Sequence, residues 1–286
     1  MPGLVIVTPR SRTLYLSPIS FRSADPRSSA VGAFAAWRNA YSGPVLLLAS
    51  GPSAGRLNLP VWRDIPVITM NGAIAKLMGS PLSPLFYVCS DLSFAHQQPD
   101  LYRQGLELAT RLALWPEAIQ VLSPELAAKA HPLHRAPATR LEHRLGAEQE
   151  QAQRLPALFS RRARDIGFSC NLDYGIFDVR TVAFIALQLA YHLGFTEIYL
   201  AGVDLNSDRP RFYEDGRSPT SPCGLDEHLH SRILPGLQVM QTAMRAAGRQ
   251  VFNLSTCSRI PADLIPLADL TAVESRWLWR RRREPG

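Results

Sequence analysis

Short apolar runs that stop on Gly, Asn, Ser or Asp, with helix-patterned stretches among them, constrain this chain more than any other feature. "PVLLLAS" (44–50) halts at Gly51-Pro52, and "IPVITMNG" (65–72), "PLFYVCSD" (84–91), "EIYLAGVDL" (197–205) and "QVFNLS" (250–255) repeat the pattern. "TVAFIALQLAYHLGF" (181–195) and "ILPGLQVMQTAMRAAG" (233–248) carry apolar residues at helical spacing and end at glycines. Strands alternating with amphipathic helices predict an α/β fold: a Rossmann-like, largely parallel sheet flanked by helices. At 286 residues the chain can bury a full core, and 46% apolar against 19% charged content is globular.

Two segments break the rhythm. Residues 1–42 are rich in Arg, Ser and Pro and are expected to form an appended N-terminal arm. Residues 122–170 show no strand signal and only weak helical stretches near 124–130 and 147–154. An insertion of that size is expected to cover a site, as a lid or as an acceptor platform. The Rossmann-like core is then 43–274, followed by a basic, aromatic tail, "SRWLWRRRREPG" (275–286).

A net charge of +7 points to an anionic partner: a nucleotide, a nucleic acid or a membrane surface. Much of the excess lies in the C-terminal arginines, so no nucleic acid is required. Cys89, Cys170, Cys223 and Cys257 are far apart without a C-x-x-C pair, which argues against a zinc site and a disulfide framework. "MPGLVIVTPRSR" is not the pattern of a secretory leader, and no stretch of about 18 apolar residues occurs. The expectation is a cytoplasmic protein that touches a membrane, with the two tail tryptophans and Arg280 to Arg283 meeting anionic lipid.

In an open parallel sheet, ligands sit beyond the carboxyl ends of the strands. Those ends offer Ser50-Gly51-Pro52-Ser53, Asn71-Gly72, Ser90-Asp91, Asp204 and Ser255. A glycine turn lets backbone N–H groups approach phosphate, Asn71 can donate and accept toward a base or sugar, and Asp91 can accept from hydroxyls. Gly-Pro and Asn-Gly also mark ordinary turns, and Asp204 also reads as a strand-end cap. Five polar ends in succession favour a nucleotide site. No G-x-G-x-x-G, P-loop or D-x-D motif is present, so neither a dinucleotide cofactor nor a metal is expected. Arg209 and Arg211 are candidates for pairing a carboxylate of the ligand.

"LLLASGPSAGRLNLP", "VITMNGAIAKL", "PLFYVCSDLSFAHQ", "TVAFIALQLAYHLGFTEIYLAGVDL", "RFYED" and "NLSTCSRI" occur in an order that resembles the lipopolysaccharide core proteins credited with adding a branch Kdo residue. More distantly it resembles bacterial CMP-sialic acid-dependent sialyltransferases. The resemblance covers about residues 43 to 270. It implies a single GT-A-like domain of CMP-sugar type that moves a keto-acid sugar from CMP to a lipopolysaccharide core acceptor without a metal. By position it implies that Gly51 and Ser53 surround the cytidine nucleotide and that Asn71 contacts it. Thr181 then lies near the donor and Tyr213 on its phosphate. The sequence departs from the sialyltransferases at "CSD" near the third strand end and at Asn206, where a second tyrosine is absent.

A glycosyl acceptor must lose a proton as it attacks, and a neutral histidine suits that task. His192 lies within a helix, His131, His134 and His143 lie in the insertion, and His96 stands near the third strand end. His228 and His230 precede the late helix in "EHLHSRIL" and, if extended, would point to the same side. The resemblance favours His230 as the base, with His228 and Asp226 as alternatives. Two other functions fit a nucleotide-binding scaffold: a metal-dependent pyrophosphokinase, or a non-catalytic nucleotide-binding protein.

Overall fold

The computed structural model describes residues 34–138, 150–155, 165–214 and 224–283. Expectations for the arm before residue 34, for parts of the insertion including His143, for Cys223 and for the last three residues lie outside them.

The five expected strands form as β1 (Pro44–Leu48), β2 (Val67–Met70), β3 (Phe86–Cys89), β8 (Glu197–Ala201) and β9 (Gln250–Asn253). Two more extend the same sheet beyond β3: β4 (Arg111–Leu114) and β5 (Ala130–Pro132). All seven run parallel in the order β5-β4-β3-β2-β1-β8-β9. Connections leave β1 toward β2 on one side and return through β8 on the other, so strand order reverses between β1 and β8. The α/β class and the Rossmann-like sheet are as expected.

Alternate residues of each strand feed two cores. Val45 and Leu47, Phe86 and Val88, and Ile198 and Leu200 face one core. Leu46 and Leu48, Tyr87 and Cys89, and Tyr199 and Ala201 face the other. Burial on both faces is why these strands read as unbroken apolar runs. Helices α2 (Val182–Leu193) and α3 (Leu234–Ala246) cover the first face. Helices α1 (Pro99–Leu108) and α4 (Leu270–Arg283) cover the second. Gly194 ends α2 at φ +101°, where a Cβ would strike the Tyr41 carbonyl.

Three local expectations change. Of the helical stretch expected near 147–154, residues 150–154 are described, and they hold not a helix but β6 (Ala152–Arg154), paired antiparallel with β7 (Gly167–Ser169) in a small hairpin against the first core. The insertion is therefore partly sheet: β5 belongs to the main sheet and the hairpin buries Phe168. The end of the arm is not appended, because Phe34 and Trp37 are buried and the Phe34 carbonyl accepts from His192 Nε2 at 2.8 Å. At the other end, α4 runs through the expected boundary at 274. Trp277 is only 4% exposed and packs edge-on against Tyr199, so of the two tail tryptophans only Trp279, half exposed, faces outward.

Candidate functional site

At the β1/β8 reversal, the strand ends diverge and leave a cleft of about 450 Å³. This is where a doubly wound sheet places its ligands. Its walls come from the β1 end (Ser50, Gly51, Pro52), Asn71 after β2, Ser90 and Asp91 after β3, and the segment 202–207 after β8. The start of α2 closes one side with Arg180 and Thr181, and His228 closes another.

The Gly-Pro-Ser turn is a tether rather than a phosphate cradle. The Gly51 N–H is spent on the Gly202 carbonyl at 2.8 Å. Asp204, buried, accepts the Ser53 N–H at 2.9 Å through one oxygen and the Ser53 hydroxyl at 2.5 Å through the other. A Cβ on Gly51 would lie 2.5 Å from Asp204 Oδ2, so only glycine allows this close crossing. The turn joins β1 to β8 and fixes the floor of the cleft. Ser53, expected at the nucleotide, is not on the cleft wall, and both its donors are engaged.

Asn71 carries the opposite signature. Its backbone sits at φ +44°, a conformation that costs a non-glycine residue free energy. Its side-chain Oδ1 is buried without a hydrogen-bond partner. A buried acceptor left unsatisfied costs about 1–3 kcal/mol, so the site holds an acceptor waiting for a donor. Arg180 (φ +72°) and Leu205 (φ +52°) also line the cleft. Of the four non-glycine residues with positive φ among the described residues, only Asn39 lies away from it. Backbone strain clusters where geometry must be held for a ligand.

The charges sort into spent and available. Arg211 is held by Glu214, with the guanidinium 2.8 Å from Oε1 and the backbone N–H 2.7 Å from Oε2. Asp178 is paired with Arg135 at 3.3 Å. Among the described residues, the guanidinium groups of Arg180 and Arg209 have no such partner and both reach the cleft wall. Thr181 is the N-cap of α2 yet its hydroxyl makes no capping bond, which leaves it and the helix terminus facing the cleft. Sequence reasoning missed Arg180: nothing in "FDVRTV" signals a left-handed arginine at a helix start.

Other expected residues fall elsewhere. Gly72 lies against the Tyr213 ring, which its missing Cβ admits, so these two form a packed support beside Asn71 rather than cleft wall. Burial raises the Tyr213 hydroxyl above its ordinary pKa. Ser255 is buried and accepts the Cys257 N–H at 3.3 Å, inside its own turn. Asp226 is engaged by Arg259. "EHLH" is not extended: Leu225–His228 is a helical turn that continues as a π-helix, Leu229–Ile233. At about 100° per residue, positions two apart face opposite ways. His228 therefore lines the cleft, whereas His230 lines a separate hollow with Leu234 and Gln238 on the side of α3.

With that geometry in place, comparison with known proteins is informative. The model of a family described as 3-deoxy-D-manno-octulosonic acid transferase WaaZ matches residues 137–271. A protein of Escherichia coli K12 named probable 3-deoxy-manno-octulosonic acid transferase is 26% identical over 262 residues, covering 86% of this chain and 90% of that one. Its namesake in Salmonella typhimurium LT2 is 26% identical over 240 residues, covering 80% and 88%. Among solved structures, the MAf glycosyltransferase of Magnetospirillum magneticum AMB-1 aligns at TM-score 0.44 and 16% identity; the match covers 83% of this chain and 37% of that one. The Campylobacter jejuni sialyltransferase CstII, in complex with CMP-3FNeuAc, aligns at TM-score 0.44 and 13% identity, covering 79% and 86%. The chain thus resembles the Kdo transferase family, as its ordered motifs imply, and the sequence relationships support a glycosyltransferase. No helix among the described residues is long and apolar enough to cross a membrane.

Proposed function

We propose that this chain transfers a keto-acid sugar, Kdo, from its CMP-activated form to a lipopolysaccharide core acceptor. The observation that carries the reading is Asn71: a strained backbone and an unsatisfied buried acceptor at the strand-order reversal. A cytosine amino group or a ribose hydroxyl supplies the missing donor. The donor brings two negative groups, a phosphate and a carboxylate, and Arg180 and Arg209 are the guanidinium groups available to them. Ser50 and Thr181 add hydroxyls on the same wall.

CMP departs as a phosphate monoester, so the developing charge is modest and can be met by arginine and hydroxyl groups without a metal. His228, not His230, is the histidine positioned to take the acceptor proton, since it alone of the pair faces the cleft. Its position just before the late helix keeps the role that the resemblance gives to that region. The exposed Leu278 and Trp279 of α4, followed by four arginines, suit a shallow contact with anionic lipid at the inner face of the membrane.

The direct test is to mix the full chain with CMP-Kdo and deacylated lipopolysaccharide core and follow CMP release and product mass. CMP release coupled to a mass gain of one Kdo on the core supports the reading. A chain that binds CMP yet forms no glycoside from this donor contradicts the donor assignment.

A further inference from the structure

Asp178 puts a carboxylate on the wall of the cleft, where an anionic ligand would meet like charge. It stands two residues before Arg180, whose φ of +72° a non-glycine residue rarely adopts. We propose that Asp178 is a positioning residue: one of its oxygens holds the Arg180 backbone in that conformation and so fixes where the guanidinium meets an anionic group of the ligand. The inference rests on the reading that an anionic donor occupies the cleft.

The segment leading to Arg180 is held from two sides. On one, the Ile176 N–H donates to the His134 carbonyl at 2.8 Å, and the Ile176 carbonyl accepts the Ala136 N–H at 2.9 Å, a parallel bridge just beyond β5. On the other, the buried side chain of Gln188 in α2 stands in for a strand partner. Its Oε1 accepts the Phe177 N–H at 2.9 Å and its Nε2 donates to the Phe177 carbonyl at 2.9 Å. The same Oε1 accepts the Ser169 N–H at 3.0 Å, which ties in β7. Phe177 and Val179 are buried in the first core, so the alternate residues Asp178 and Arg180 are left on the cleft wall.

Within this frame the Arg180 N–H donates to Asp178 Oδ1 at 2.8 Å, a short loop of the kind an aspartate closes. Left-handed backbone at a non-glycine residue persists only where its surroundings over-determine it, and this bond is the local determinant. Asp178 Oδ2 lies 3.3 Å from Arg135, whose side chain is 66% exposed. An exposed contact of this kind contributes little energy; it orients the carboxylate and leaves Arg135 charged. What Arg180 needs from position 178 is an acceptor oxygen and not a negative charge. An amide oxygen in the same place would hold the N–H equally well without repelling the ligand.

Calorimetry with CMP on the full chain, together with amide hydrogen exchange at Arg180 measured without ligand, tests this. Asp178→Ala should weaken CMP binding by about fivefold or more, as for one lost hydrogen bond, and should speed exchange at Arg180. Asp178→Asn should keep the slow exchange and bind CMP at least as tightly as the wild type. Asp178→Ala/Arg180→Ala should bind no more weakly than Arg180→Ala alone, since Asp178 acts through that guanidinium. Equal losses in Asp178→Asn and Asp178→Ala overturn the proposal, as do additive losses in the double variant or unchanged exchange in Asp178→Ala. Should Asp178→Ala prove too unstable to titrate, Asp178→Ala/Arg180→Gly should regain most of the lost Tm, because glycine adopts positive φ freely; no recovery overturns the proposal too. The expected exchange pattern in a chain that does not bind CMP would reject the donor reading and still support Asp178 as the residue that sets Arg180.

Discussion

The cleft at the β1/β8 reversal and the groove beside it, at the ends of β3, β4 and β5, share Ser90 and Asp91 but differ in nearly every physical respect. The cleft has left-handed non-glycine backbone at Asn71, Arg180 and Leu205, an orphaned buried amide oxygen and, among the described residues, two unpaired guanidinium groups. The groove has no positive-φ residue on its wall, carries the Trp115 ring locked by a main-chain hydrogen bond, and exposes the Glu117 carboxylate. Strain and unpaired cations suit a charged ligand that must be held in one pose for chemistry. The neighbouring surface carries no such strain, so two adjacent hollows on one sheet differ in what their geometry has to hold.

The sharpest way to break this division is at the base. His228→Ala should lower turnover by about 10²–10⁴-fold with CMP affinity retained, while His230→Ala should leave turnover near wild type. Steady-state kinetics on both variants decides the matter; the reverse order would move the chemistry to the α3 side. Next in size is the charge of the cleft. Arg180→Ala should weaken CMP binding by about 1.5–3 kcal/mol, roughly ten- to a hundredfold, as for a lost charge-assisted bond. Arg211→Ala should do less, because Glu214 already neutralises that side chain. Titration calorimetry that ranks them the other way would reassign the anion contact.

Much of this layout is legible in the sequence, and the parts that are not have physical causes. β1, β2, β3, β8 and β9 stand out because burial on two faces forces apolar runs, and these runs stop on Gly, Asn, Ser or Asp. β4 is four residues, "RLAL", that follow α1 without a glycine or proline break, so its apolar residues merge with the helical pattern. β5 is three residues with a buried His131 and a proline, which no strand pattern signals. Asn71, Thr181 and the 50–52 turn are readable as strand and helix ends. The roles of Ser53 and Asp204 are not, since a strand-end serine looks the same whether it faces a ligand or a partner 151 positions away. His228 and His230 exchange places because the backbone there is helical and then π-helical, where an extended segment would have aligned them.

The smallest expected effect separates the frame from the site. His192 is buried behind the first core, accepting the Leu172 N–H at Nδ1 at 3.1 Å while Nε2 donates to Phe34. Burial lowers its pKa below the ordinary value. The unfolded chain takes up a proton near pH 6.5 that the folded chain resists, so stability is full above about 6.5 and falls as pH drops through it. Thermal melts should show Tm declining over that window, with a shallower decline in His192→Asn. An activity loss in the acid range with Tm unchanged would belong to the cleft rather than to the frame.

If the nucleotide sits in the cleft against Asn71, removing that side chain should weaken its binding, whereas a change in the groove should not. Calorimetric titration of CMP into the wild type, Asn71→Ala and Glu117→Ala tests it most directly. The wild type should bind CMP, Asn71→Ala should lose about 1–3 kcal/mol, where a buried partner is removed, and Glu117→Ala should keep its affinity. A folded Asn71→Ala that binds CMP as the wild type does, or a loss confined to Glu117→Ala, would contradict it.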